Sequence, residues 1–221
     1  VNSGTVTSGT NASPLDYTVI GAGLGSTGIA TITGANSSWT SNVAFNVGGA
    51  GTGTLTIENK GTVTATENFI IGVVSQGDGK VTVNDSFLNV TKDLVVGQLG
   101  KGTLDIINGG EVTSANGIIG ELKDPTGTGT GTVTVNSGGT LAGGNAAGTT
   151  GMISGLVVLN NGGSLQPGAV TITGAPLTGT PVSQGGTLSV GALQLSGGSI
   201  TFQLGAPANG NNDKIVVTGT D

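Results

Sequence analysis

Residues 54–65 read "TLTIENKGTVTA", and residues 103–114 read "TLDIINGGEVTS". A line repeated this closely restricts a chain to architectures built by stacking one unit on the next. Two markers measure the interval. A Gly that opens an alternating strand occurs at Gly28, Gly53, Gly79, Gly102, Gly131 and Gly155, at spacings of 25, 26, 23, 29 and 24. An apolar pair closed by Gly occurs at Gly21, Gly48, Gly72, Gly97 and Gly120, at spacings of 27, 24, 25 and 23. The two markers run out of phase and share one period.

The columns of the repeat carry the physics. One inward position of the first strand reads Ala30, Leu55, Val81, Leu104, Val133, Val157, and the next reads Ile32, Ile57, Val83, Ile106, Val135, Leu159. Between them lie Thr31, Thr56, Thr82, Asp105, Thr134 and Val158. Apolar–polar–apolar with period two is a strand with one buried face. Threonine suits the outer column because its β-branched side chain fits a pleated surface. A turn follows, with Asn59, Asn108, Ser137 and Asn161 in one column and Gly61, Gly110, Gly139 and Gly163 in another, residue types that accept positive φ. A second strand is marked by Val63, Val112, Leu141 and Leu165, and the apolar-pair-Gly segment makes a third.

No segment holds a 3.6-residue apolar period, and Thr, Val and Gly disfavour helix. A unit of about 25 residues with three strands cannot bury its own face, so it must stack on its neighbours. The expectation is an all-β chain folded as a right-handed parallel β-helix (a solenoid), with three short strands per rung. Propeller blades need 40–45 residues and four strands. The Leu-rich frame of a leucine-rich repeat is absent. Residues 1–165 keep the period. Residues 166–185, "QPGAVTITGAPLTGTPVSQG", break it, so 166–221 is read as a remodelled C-terminal part of the same helix.

Composition narrows the chemistry. Only 8% of residues are charged, against roughly 25% in ordinary domains. Cys and His are both absent, and all six basic residues are Lys. Disulfides, thiolate metal sites, imidazole acid–base chemistry and guanidinium clamps are therefore excluded. A net charge of −6 with no basic cluster makes nucleic acid and anionic membrane poor partners. No apolar run is long enough for a spanning helix, so membrane insertion is not expected. The opening "VNSGTVTSGT" has neither the basic end nor the apolar stretch of a secretory leader. The chain is thus read as cytosolic or as a mature piece of an exported protein.

"GIATITGANSSWTSNVAFNVGGAGTGTLTIENKGTV" resembles the paired repeats of bacterial autotransporter (type V secretion) passenger domains of the AIDA-like adhesin type. Those alternate a "TVSGxGSxW" line with a "GTLTIxNGGxV" line. Here the first is Thr31–Trp39, with Ala35 where Gly is the rule, and the second is Gly53–Val63. "GNNDKIVVTGTD", Gly210–Asp221, is similar to a line found late in such passengers, ahead of an autochaperone segment and a membrane barrel. The resemblance spans about residues 18–221 and implies a rod at the bacterial surface or released from it. Adhesion or self-association is the function it implies first: aggregation, biofilm formation or host attachment. The implied partner is a second copy, or a host surface or matrix protein or glycan. A released effector for a host receptor and a passive stalk for another domain are alternatives. A polysaccharide-degrading enzyme ranks last.

Several motifs invite a chemical reading. "GLGSTG", Gly23–Gly28, matches a dinucleotide-binding pattern, but a strand follows where a helix is required. "GDGKVTVND", Gly77–Asp85, looks like one calcium nonapeptide, yet that chemistry needs the unit repeated. Asn11, Asn36, Asn84 and Asn89 begin glycosylation sequons, as a chain rich in Thr, Ser and Asn will by composition, and read as turn residues. Asp85, Asp93 and Asp105 fall in different columns, so no carboxylate pair is marked for glycoside chemistry. Trp39 shares a column with Val63, Leu88 and Val112 and reads as core. Catalysis, cofactor and metal are therefore not expected. Any binding face is placed on the outward column Thr31, Thr56, Thr82, Asp105, Thr134.

Overall fold

A period-two strand has one apolar face, and here only the strand of the next repeat can cover its edges. The computed structural model describes residues 1–9 and 16–119, and beyond them the strand segments 123–124, 127–128, 130–135, 140–143, 150–160, 164–167, 187–196, 199–200 and 214–217. β1 (Thr5–Ser8) and β2 (Tyr17–Ile20) precede four complete rungs. The first is β3 (Thr27–Thr33), β4 (Ser38–Ser41) and β5 (Ala44–Val47); the second is β6 (Thr52–Glu58), β7 (Thr62–Ala65) and β8 (Phe69–Ile71). The third is β9 (Asp78–Asn84), β10 (Phe87–Val90) and β11 (Asp93–Val96); the fourth is β12 (Lys101–Ile107), β13 (Glu111–Ser114) and β14 (Asn116–Ile119).

Every strand of these rungs pairs in parallel with its counterpart one rung away. Thr27 meets Thr52, Thr52 meets Asp78 and Asp78 meets Lys101, without a slip in register. The second strands stack as β1-β4-β7-β10-β13 and the third as β2-β5-β8-β11-β14. The chain is an all-β parallel β-solenoid with three strand columns and rungs of about 25 residues, as the repeat predicts.

The ladder continues through β17 (Thr130–Val135) and β18 (Thr140–Gly143), after a small antiparallel hairpin of β15 (Lys123–Asp124) and β16 (Gly127–Thr128). β19 (Thr150–Asn160) then departs from the pattern. Its first half pairs with β14, through Ile153 and Gly117, and its second half with β17, through Val157 and Val133. One 11-residue strand thus occupies the third position of one rung and the first of the next. It joins two strand columns into one 13-stranded sheet. β20 (Ser164–Pro167) extends the second column. β21 (Thr187–Ser196) follows β19, with a register shift between Ile153 and Leu156. β22 (Ser199–Ile200) and β23 (Lys214–Val217) complete the described strands. Of the expected remodelled segment, residues 168–186 lie outside the described residues.

The inward columns are where the alternation places them. Leu55, Ile57, Val63, Ala65, Phe69 and Ile71 of the second rung are all 0% exposed. Ile32, Val83, Ile106 and Val135 are buried in the predicted column, and Ala30 packs against the cluster from the rod's first rung. Trp39 stacks in register with Val63, which in turn meets Leu88. Its ring lies 4.8 Å from that of Phe45, which lies 4.9 Å from Phe69. Trp39 is thus a half-buried residue packed against the core at its N-terminal end, in keeping with a packing role.

The corner between the third strand and the next first strand is made of glycine. Gly21, Gly48, Gly72 and Gly97 all have φ between 73° and 76°. A Cβ on Gly53 would lie 2.2 Å from the Gly48 nitrogen, so the two chain segments touch backbone to backbone. The turn after the first strand uses the other predicted device: Asn59 and Asn108 hold φ of 53° and 50°. Ser137, Asn161, Gly139 and Gly163 of those turn columns lie outside the described residues.

The N-terminal end of the interior carries a polar network beside the apolar core. Trp39 Nε1 donates to Ser8 Oγ at 2.9 Å, Ser8 Oγ lies 2.6 Å from Thr18 Oγ1, and Thr18 Oγ1 lies 2.9 Å from Ser41 Oγ. Ser41 donates its own proton to the Val43 carbonyl at 2.9 Å. One proton per hydroxyl then fixes the direction of the whole chain: Trp39 to Ser8 to Thr18 to Ser41 to Val43. Thr18 occupies the column that Phe45 and Phe69 fill one and two rungs on. The buried hydroxyls are tolerated there because each has a partner.

Candidate binding face

The outward side of the first-strand column is a grid. Strand alternation supplies four outward positions per strand and the repeat supplies the rungs. The predicted column lies in one straight line: Thr31 beside Thr56, Thr56 beside Thr82, Thr82 beside Asp105, and Asp105 beside Thr134. Two residues toward the N-terminus of each strand runs Ile29, Thr54, Lys80, Thr103, Thr132, and two further runs Thr27, Thr52, Asp78, Lys101, Thr130. Side chains on one strand are about 6.6 Å apart and rungs about 4.8 Å. The remaining column runs Thr33, Glu58, Asn84, Ile107. The result is a face rich in threonine hydroxyls with a compact charged block at the third and fourth rungs and Glu58 apart from it on the second.

That block is built from ion pairs between rungs. Lys101 Nζ lies 3.2 Å from Asp78 Oδ2, and Lys80 Nζ lies 3.2 Å from Asp105 Oδ2. Lys60 pairs likewise with Asp85, and Lys92 with Glu67. Each partner sits 23 or 25 residues away, one rung up or down. All four pairs are surface-exposed, so each stabilises the fold by about 0–1 kcal/mol. Their stronger effect is on register, since a one-residue slip would break all of them. Sequence reasoning placed Asp105 on a solvated face and missed its lysine. The signal was present: a carboxylate and a lysine separated by one repeat period are neighbours in a solenoid.

The other motifs resolve in place. "GLGSTG" leads into β3, a strand. Asp78 and Asp85 of the nonapeptide-like segment each face a lysine, Lys101 and Lys60. Asp85 sits in a turn with φ of 49°, Asp93 opens β11 and Asp105 lies within β12, so the three occupy different parts of the coil: a turn, the start of a third strand and the middle of a first strand. Asn84 accepts a hydrogen bond from Asn108 at 2.9 Å, and Asn89 accepts one from Thr113 at 3.1 Å, so both act in ladders between rungs. Asn36 is exposed; Asn11 lies outside the described residues.

Glu111 is the acidic side chain the repeat does not explain. It opens β13 at a position held by Phe87 in the rung before, and it is 9% exposed. Burial raises its carboxyl above the ordinary range for glutamate. A raised acid pKa means the fold is favoured while the group is protonated and loses that advantage as pH rises past it. Glu111→Gln is therefore expected to be more stable than the wild type at pH 7, and the gain should vanish below the ordinary glutamate range, about 4.3. Urea midpoints for the two proteins at neutral and acid pH check this.

Comparison with models of known protein families, with curated proteins and with solved structures finds no match to this chain.

Proposed function

We propose that this solenoid is part of an exported bacterial surface rod, of the autotransporter passenger kind, that acts in adhesion or self-association. The observation that carries the reading is the outward grid headed by Thr31, Thr56, Thr82, Asp105 and Thr134, held in register over five rungs. Such a face offers many weak hydrogen-bonding groups at fixed spacing, which suits contact with another repetitive surface better than capture of a small molecule. The passenger-like lines Thr31–Trp39 and Gly53–Val63 support the cell-surface setting. A non-catalytic role fits the use of Asp78, Asp85 and Asp105 in ion pairs between rungs.

Sedimentation velocity across a wide concentration range tests it. Self-association is expected to appear as concentration-dependent dimers or larger species. A strictly monomeric, elongated particle that also fails to bind cells or matrix would overturn the reading in favour of a stalk or a receptor-directed effector.

A further inference from the structure

We infer that the threonine-and-charge face is self-complementary, and that its charged block selects a second copy of this chain in one antiparallel arrangement. The inference rests on the self-association reading above and names the face, the orientation and the residues that set partner choice.

The argument is one of symmetry. A homodimer interface of twofold symmetry places the same patch against itself. When two such faces meet, the twofold axis lies in the plane between them. An axis parallel to the strands keeps each outward column opposite itself and reverses the order of the rungs. Placed midway between the third and fourth rungs, it sets Asp78 of one copy opposite Lys101 of the other, at two equivalent positions. Since Asp78 and Lys101 already pair within each chain at 3.2 Å, the four charges alternate in sign around a square. The same operation sets Thr82 opposite Asp105 and Lys80 opposite Thr103, pairs that can hydrogen-bond. It also lays Thr54 and Thr56 of the second rung over Thr132 and Thr134 of the fifth.

Other placements fail on charge. An axis through the third rung would press Asp78 on Asp78 and Lys80 on Lys80. An axis along the rod, giving parallel rods, would exchange the outer columns and set Asp78 opposite Asn84 and Lys101 opposite Ile107. Like charges in opposition disfavour the first, and the second sets no opposite charges against each other. Among the twofold placements that overlap all four columns, only the antiparallel register between the third and fourth rungs sets opposite charges against each other, at Asp78 and Lys101.

The face is small. In this register the five-rung grid overlaps its copy over the second to fifth rungs, roughly 20 Å by 20 Å, near 400 Å² per copy, against about 800 Å² for a standard stable interface. The contact is thus weak and fast for a single pair of modules, and salt-sensitive because its specificity is electrostatic. Multiple contacts between neighbouring rods would supply the avidity.

Asp78→Lys and Lys101→Asp, made singly and together, provide the test. In either single variant four like charges meet at the centre, so homodimers should weaken about tenfold or more at low salt. An equimolar mixture of the two single variants should form heterodimers more strongly than either alone. The double exchange restores alternation and should self-associate like the wild type. It should also bind wild-type chain poorly, because like charges would then oppose each other at both central positions, lysine on lysine and aspartate on aspartate. Circular dichroism confirms that each variant is folded. Heterodimers in the mixture, measured by sedimentation or by labelled pull-down, support the inference. Wild-type association that none of the variants alters overturns it and leaves the self-association reading standing on another face. A wild type that stays monomeric at every concentration removes both.

Discussion

Gly72→Ala is expected to cost several kcal/mol of stability and to leave little folded protein at 37 °C. Two costs coincide at this residue. Its φ of 75° lies in the left-handed region, where a Cβ costs about 1–2 kcal/mol. A Cβ would also sit 2.4 Å from the Lys101 carbonyl oxygen and 2.5 Å from its carbon. Those atoms are backbone of β12 in the fourth rung, so relief requires the rungs to part and their ladder hydrogen bonds to stretch. Gly109→Ala separates the two effects. Gly109 has φ of 80°, but the nearest atom to its Cβ is Asp85 Oδ1 at 3.9 Å. It should lose only the conformational cost, about 1–2 kcal/mol. Urea denaturation of the two variants measures both. If Gly109→Ala proves as damaging as Gly72→Ala, the close approach of rungs at the glycine corner is not the reason glycine stands there.

Phe69→Ala should produce a loss of comparable size by a different route. Phe69 is 0% exposed and its ring lies 4.9 Å from that of Phe45. Its strand neighbour in the other direction is Leu94. Truncation removes the buried ring and leaves a cavity walled by strands hydrogen-bonded on both sides, which cannot collapse inward. Phe→Ala in such settings costs about 3–5 kcal/mol. Phe69→Leu keeps much of the volume and should cost distinctly less. Equal losses for the two substitutions, read from the same denaturation midpoints, would show that packing in this column is not what Phe69 supplies.

Much of the fold was legible because a solenoid turns sequence distance directly into spatial distance. A residue and its counterpart one period later are neighbours, so the columns read from Leu55, Val81 and Leu104 are the columns the strands form. Asn59 and Asn108 announced their turn for a local reason: the side chain accepts positive φ wherever it stands. The predicted outward column was legible for the same reason as the core, since alternation assigns both faces together. Its charge pattern was not, because Lys80 and Asp105 mean little until the rung offset that joins them is applied to side chains as well as to strands.

What lay beyond the sequence has a common cause. β19 continues through the corner that the chain turns at Gly21, Gly48, Gly72 and Gly97, and nothing local to Thr150–Asn160 states that one half will pair with β14 and the other with β17. The hydroxyl chain through Ser8, Thr18 and Ser41 joins three strands, and a threonine in a phenylalanine column looks like a defect until its partners are in place. Glu111 looks like a surface residue by type, and its burial depends on what packs over it. The sequence alone determined the period, the strand faces and the stacking, because these follow from alternation and repetition along one chain. Tertiary structure alone decided which polar groups meet, where a turn is omitted and which carboxyl is dehydrated, because each depends on atoms that converge from different rungs.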